Sequence, residues 1–484
     1  MNKQVGRLGI SMMVMLVALA LNLSFIQVIN ASTIDDKPGN RRNLLREYSR
    51  ERGPILVAGN PLVTSVRTQD ALTHLRTYVD GPEYASITGF YSFLYGATGI
   101  ERAENSVLSG SDDTLVIDRL QQLLAGRKPR GGAVSLTINP AAQKAAWDGL
   151  AGRTGAVVAI EPTTGRLLAV VSSPSFDPNL LSSHDGVAIK GAYADYIADD
   201  QQPMLNRALA RTYPPGSTFK LVTAAAALES GRFTPDSVLP GPKTYRLPLT
   251  NKDLNNWSRS SCGRKNKVTL AQALAVSCNT AFAWLGNDLG DDALRRQARA
   301  FGFDFTTKVP MTAATSRFPN NPDAPQTALS AIGQFDVRAT ALQMAQVGAG
   351  IANHGIVMQP YLVDQIFAPD LSVLSRTSPK TVSQAMSQAN ADALLMMMLG
   401  VVNGGTGGNA RISGVKVGGK TGTAQTQPGT PPHAWFVGVA PVNNPKVAVA
   451  VVIENGGGAS EISGNRLAAP IARAVIQAVL KSAR

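Results

Sequence analysis

The sequence predicts an α+β fold: an antiparallel sheet flanked by helices, with an all-helical lobe, behind a small N-terminal domain and one membrane-crossing helix. Three observations carry this. Apolar runs of strand length separated by turn residues occur at 134–171 and again at 414–454. Helical patterning dominates from Ser217 to about Leu399, so the sheet is built from both ends of one long domain. Ahead of both, Leu8 to Ile29 is an apolar run of 22 residues, long enough to span a bilayer as a helix.

At 484 residues the chain is too long for one ordinary domain and suggests two or three. With 44% apolar and 16% charged residues it is globular, with ample core. Forty-six basic against thirty-three acidic residues give +13. That balance suits an anionic lipid, a wall polymer or a nucleic acid, but a solvated basic surface is the simpler reading. Four histidines and two cysteines, without zinc spacing, argue against a metal site. Cys262 and Cys278 lie 16 apart; they either pair, as an oxidising compartment would favour, or remain small buried hydrophobes.

Residues 1–7, with Lys3 and Arg7, form a short cytoplasmic tail, and 8–29 form the anchor. A cleaved signal ending near Ala31 competes, but the apolar core is longer than a signal needs. Between Lys37 and Arg52 six basic residues face only Glu47 and Glu51, which argues for the opposite topology. Long domains override that rule, and the chemistry below requires the bulk outside. Residues 30–132 read as a linker and pedestal domain. They hold a short strand at Ile55-Leu56-Val57, an aromatic block from Ile87 to Gly96 and a helix from Asp113 to Leu124. The Gly-rich stretch from Gly126 to Gly132 closes this region.

The second domain, 133–484, opens with the alternating Val134-Ser135-Leu136-Thr137-Ile138 and a helix around Gln143 to Leu150. Strands Gly155–Ile160 and Arg166–Val171 form a hairpin about Pro162-Thr163-Thr164-Gly165. Strands return at Gly414–Gln425, Ala434–Ala440 and Val447–Glu454. A last helix lines up Leu467, Ile471, Val475, Val479 and Leu480.

The chemistry centres on Tyr213-Pro214-Pro215-Gly216-Ser217-Thr218-Phe219-Lys220, a broken turn entering an alanine-rich helix. Ser217 falls in the first helical turn, and Lys220, three residues on, shares its face. Unpaired N–H groups at the helix start suit an oxyanion. Lys220 can take the serine proton only when neutral, which needs burial and a second cation nearby. Ser277-Cys278-Asn279, on a helix-like run, can relay a proton and bind a substrate amide. Lys420-Thr421-Gly422-Thr423, on a strand, supplies the second cation, two hydroxyls on one face for a carboxylate, and a glycine that admits a substrate backbone. The N–H groups of Ser217 and Thr423 then form the oxyanion hole. Each motif alone is weak, since Ser277 or Asn279 could be helix caps and Thr-Gly a bulge. The ordered set of three is strong.

From about Ala133 onward the chain resembles the transpeptidase domain of class B penicillin-binding proteins, the penicillin-binding-protein/serine β-lactamase-like fold. The anchored whole resembles actinobacterial A-type members. Glu161-Pro162-Thr163-Thr164-Gly165, Asn206-Arg207-Ala208, Gly333-Gln334, Gly405-Thr406-Gly407 and Trp435-Phe436-Val437-Gly438 carry the likeness beside the motifs. The segment from Arg52 to Asn60 departs from the family's usual Arg-Gly…Asp-Arg-x-Gly pattern. The resemblance implies a monofunctional peptidoglycan D,D-transpeptidase in cell wall synthesis, division or shape. Its substrates are stem peptides ending in D-Ala-D-Ala, its inhibitors penicillin and other β-lactams, and it needs no cofactor. It also implies partners: the membrane, a separate glycosyltransferase of the SEDS type and divisome proteins, but no nucleic acid. A class A β-lactamase would need a glutamate between the second and third motifs, and none occurs from Ser230 to Ile453. A membrane-anchored β-lactam sensor or a D,D-carboxypeptidase remain alternatives.

Overall fold

The structure, a computed structural model, describes residues 2–26, 48–115, 130–426, 429–456 and 464–482. Helix α1 (Asn2–Ser24) carries the apolar run and, from Gly6 to Ser24, is long and apolar enough to cross a membrane. The last residues of the expected anchor (27–29), most of the basic linker and the end of the expected 113–124 helix lie outside the described residues, as does most of the Gly-rich boundary. What is described of that helix is a single 3-10 turn, Asp113–Leu115.

In chain order, the strands that position the site are β1 (Ile55–Val57), β2 (Asn60–Arg67), β3 (His74–Tyr78), β4 (Ala133–Leu136), β5 (Gly155–Ile160), β6 (Leu167–Ser173), β7 (Val363–Phe367), β8 (Val373–Arg376), β9 (Gly418–Ala424), β10 (His433–Ala440) and β11 (Val447–Ile453). The helices are α2 (Pro140–Leu150), α3 (Lys220–Glu229), α4 (Leu270–Ala275), α5 (Asn279–Leu289), α6 (Ala341–Ala352), α7 (Gln388–Asn403) and α8 (Gly464–Ser482).

The central sheet runs β9-β10-β11-β5-β6, antiparallel throughout. Every residue of β5, β10 and β11 is buried. That is why these strands read as continuous apolar runs rather than alternating ones: both faces are covered. Helices α2 and α8 pack on one face through Leu150, Ile471, Val475 and Ile476 against Val157, Phe436, Val449 and Val451. The other face meets α6, buried along its whole length, in a core that α3 shares. Strand β9 is the open edge.

A second sheet, β8-β7-β4-β1-β2-β3, joins the two halves of the chain. β1 pairs in parallel with β4, Ile55 opposite Val134, and β7 from far downstream adds to the other side of β4. One sheet therefore runs across the 132/133 division. Beneath it Glu101, fully buried, takes Arg52 Nε and Arg76 Nε at 2.6 Å each and the Tyr78 hydroxyl at 3.2 Å. Burial alone would raise this carboxyl's pKa; the two guanidiniums outweigh it and hold the group below its ordinary value.

The lobe from 217 to 399 is less uniformly helical than its pattern predicts. It contains the small pairs Thr244–Arg246 with Asp253–Asn255, Val238–Pro240 with Lys267–Thr269, and Ile356–Met358 with Thr381–Gln384. Strands of three or four residues are too short to set a period of two against a helical background.

Candidate active site

The turn before Ser217 is fixed from several directions. Tyr213 exchanges two backbone hydrogen bonds with Ala339, at 2.9 and 2.8 Å. Its buried ring meets Trp435 and His433 edge-on, and its hydroxyl donates to Glu454 Oε1 at 2.8 Å. Glu454 is held in turn by Arg207 Nε at 3.0 Å. Trp435 Nε1 donates to Pro214 O at 3.1 Å, and the Gly216 N–H donates to Gly333 O at 2.9 Å. Gly216 has φ +53°, a left-handed conformation suited to glycine.

Ser217 was expected in the first turn of an α-helix. It lies instead in a 3-10 turn, Gly216–Phe219, which runs into α3 at Lys220. Side chains three apart share a face in such a turn, so Ser217 and Lys220 lie on the same side of it. Ser217 is half-buried, whereas Lys220 is wholly buried. Lys220 Nζ donates to Ser277 O at 2.8 Å and Asn279 Oδ1 at 2.7 Å and lies 3.3 Å from Ser277 Oγ, and none of these contacts is with Ser217.

Lys420, on β9, is equally buried; its Nζ donates to Ser277 Oγ at 2.8 Å and to Thr421 O at 2.9 Å. Every acceptor around the two amines is a neutral oxygen. Burial, and then the charge on Lys420, hold Lys220 well below the ordinary lysine range, while burial brings Lys420 down to about 7. Among the described residues no carboxylate bonds to either amine, and two cations side by side in one buried pocket disfavour each other's charge. Lys220, on which both burial and the neighbouring cation act, is the candidate base.

Ser277 does not sit on a continuous helix, as its run suggested. α4 ends at Ala275 and α5 begins at Asn279; between them Ser277 has φ +57°, unusual for a residue with a side chain. This corner lets both its carbonyl and its hydroxyl face Lys220. Asn279 also donates to Asn255 O at 3.1 Å. Cys278, between the two, is bonded to Cys262 with their Cα atoms 5.9 Å apart.

β9 and the serine turn lie against each other. A Cβ on Gly422 would lie 2.9 Å from Trp435 Cβ, 3.0 Å from Thr218 Cγ2 and 3.1 Å from Pro215 O. One on Gly216 would lie 2.9 Å from Thr423 O. Thr421 and Thr423 are not equivalent hydroxyls: Thr423 is half-exposed, but Thr421 is buried with its Oγ1 2.7 Å from Thr406 Oγ1. All eight expected residues meet here. Tyr213, Arg207, Glu454 and Thr406 support this site, though none of them is a chemical residue of the three motifs. A visible signal for Glu454 was that it ends a stretch without glutamate that begins after Glu229.

The model of the penicillin binding protein transpeptidase domain matches residues 155–477, and that of the penicillin binding protein A dimerisation domain matches 52–134. The chain is 45% identical to the peptidoglycan D,D-transpeptidase PbpA of Mycolicibacterium smegmatis and 44% identical to that of Mycobacterium tuberculosis, over 99% of each chain. Among solved structures, the ceftriaxone acyl-enzyme complex of penicillin-binding protein A from M. tuberculosis superposes with a TM-score of 0.88 at 44% identity, covering 90% of this chain and all of that one. The penicillin G acyl-enzyme complex of that protein gives 0.86 at 44% identity, covering 89% of this chain and all of that one.

Proposed function

The chain belongs to the penicillin-binding protein transpeptidases, and on that premise we propose that it cross-links peptidoglycan as a serine D,D-transpeptidase in which Ser217 carries the acyl group. The observation that carries the assignment of roles is the pair of buried lysines bridged by the Ser277 hydroxyl, one of which, Lys220, follows Ser217 by three residues.

Ser217 Oγ attacks the carbonyl of the penultimate D-Ala of a stem peptide, and its proton passes to the lone pair of neutral Lys220. The N–H groups of Ser217 and Thr423 receive the oxyanion. The bond to the terminal D-Ala breaks as its nitrogen takes a proton through Ser277, which bonds both amines. An amine on a second stem then attacks the ester, gives up its proton to Lys220, and leaves with the acyl group while Ser217 regains its hydrogen. Lys420 and Thr421 hold the donor's terminal carboxylate, Thr423 assists, and Asn279 holds its amide. A β-lactam opens by the same attack, but its leaving nitrogen stays tethered, so the ester persists.

The domain division follows the same reading: tail 1–7, anchor 8–29, linker and pedestal 30–132, catalytic domain 133–484, with all but the tail and anchor outside the cytoplasmic membrane. The candidate span in α1 supports the anchor. Strand synthesis falls to a separate membrane glycosyltransferase of the SEDS type, and the pedestal serves division or shape proteins as a docking face.

The test is labelling of the full chain in detergent with a fluorescent penicillin. Wild type takes up the label and Ser217→Ala does not; equal labelling of the two would overturn the assignment of Ser217.

A further inference from the structure

Thr406 lies in none of the three motifs, yet it touches elements that carry two of them. Its N–H donates to Ala275 O at 3.0 Å, two residues before Ser277. The preceding Gly405 is pressed so closely to that carbonyl that a Cβ there would fall 2.2 Å from Ala275 O. The Gly-Thr-Gly turn is thus seated on the end of α4, and the Thr406 hydroxyl lies 2.7 Å from that of Thr421 on β9.

We propose that Thr406 is a positioning residue for recognition of the donor's carboxylate, its hydroxyl donating to Thr421 Oγ1 so that the Thr421 proton is left for the anion. The inference rests on the reading of Thr421 as a carboxylate contact. A hydroxyl has one proton and a carboxylate only accepts. If Thr421 gave its proton to Thr406, it would face the anion with a lone pair. Thr406 must therefore donate, and its bond polarises Thr421 toward the substrate. Lys420 supplies charge in the same corner, but two of its ammonium hydrogens are committed to Ser277 Oγ and Thr421 O.

The experiment compares acylation of the full chain in detergent by penicillin G and by its methyl ester, which keeps the reacting amide and lacks the anion. The wild type prefers the acid. Because a bond to a charged group contributes on the order of tenfold or more, weakening it lowers that preference about three- to tenfold in Thr406→Val. The loss falls on the acid alone, and Thr406→Ser restores it. Thr421→Val, run in parallel, also loses the preference. Acid and ester slowing equally in Thr406→Val, or an unchanged preference there while Thr421→Val loses it, overturns the role of Thr406. An unchanged preference in Thr421→Val overturns the carboxylate reading itself, and the inference with it.

Discussion

Lys220 is the residue on which the chemistry turns, because an amine is a base only without its proton. Acylation therefore rises as pH climbs through its depressed pKa, well below the ordinary lysine range. For donors bearing a carboxylate it falls again as Lys420 loses its proton near about 7. A pH profile of the second-order acylation constant checks this; a rate still climbing above pH 9, where an ordinary lysine would titrate, would contradict it. Lys220→Met keeps the volume and removes a buried amine that charges at some cost to folding. We expect it to melt at or above the wild-type temperature, with acylation reduced by about 10²–10⁴. A large drop in melting temperature would mean that the bonds to Ser277 and Asn279 hold the fold together. The residues of this paragraph were legible in the sequence because each motif is local, with partners one to three positions apart. The left-handed Ser277 was not, since nothing in Ser-Cys-Asn announces a break between helices.

Element against element, the critical contact is β9 on the 3-10 turn, and Gly422 sets its closeness. In Gly422→Ala the new methyl meets Trp435 from one side, and Thr218 and Pro215 from the other. The strand must retreat from Ser217 by a few tenths of an ångström, and we expect acylation to fall at least about tenfold with the melting temperature nearly unchanged, as misplacement by an ångström can cost about a hundredfold. Acylation at the wild-type rate would show that the strand edge is looser than the contacts imply. Behind the turn, Tyr213→Phe strands no charge, because Arg207 still pairs with Glu454; a loss of about 1 kcal/mol in a denaturant titration is the expected outcome. A loss above 3 would mean that the hydroxyl organises the whole buried cluster. The strands that build this region were readable from their length and apolar runs. Tyr213 meets Trp435 and Glu454 across more than two hundred residues, and no local pattern encodes such a meeting.

At the scale of the molecule, the pedestal and catalytic regions share a sheet, so their stabilities are linked through β1 and β4. Glu101 anchors the pedestal side. Its folded carboxyl lies below its unfolded value, so it contributes stability above the unfolded pKa that is lost as pH falls through the folded one. Glu101→Ala leaves Arg52 and Arg76 buried without their carboxylate and should cost about 3–5 kcal/mol by denaturation, while acylation by the folded fraction stays near wild type. Slowed acylation would show that the pedestal shapes the cleft. The architecture was anticipated as two domains behind an anchor, but not the shared sheet: β7 joins β4 across more than two hundred residues, and only tertiary pairing decides it. The most direct measurement of the whole account incubates the full chain with a stem peptide ending in D-Ala-D-Ala and an amine-bearing acceptor stem, and analyses the products by mass. Wild type should release D-Ala and form a cross-linked dimer that Ser217→Ala cannot form; release of D-Ala without the dimer, or a stable penicillin adduct with neither, would contradict the transpeptidase mechanism.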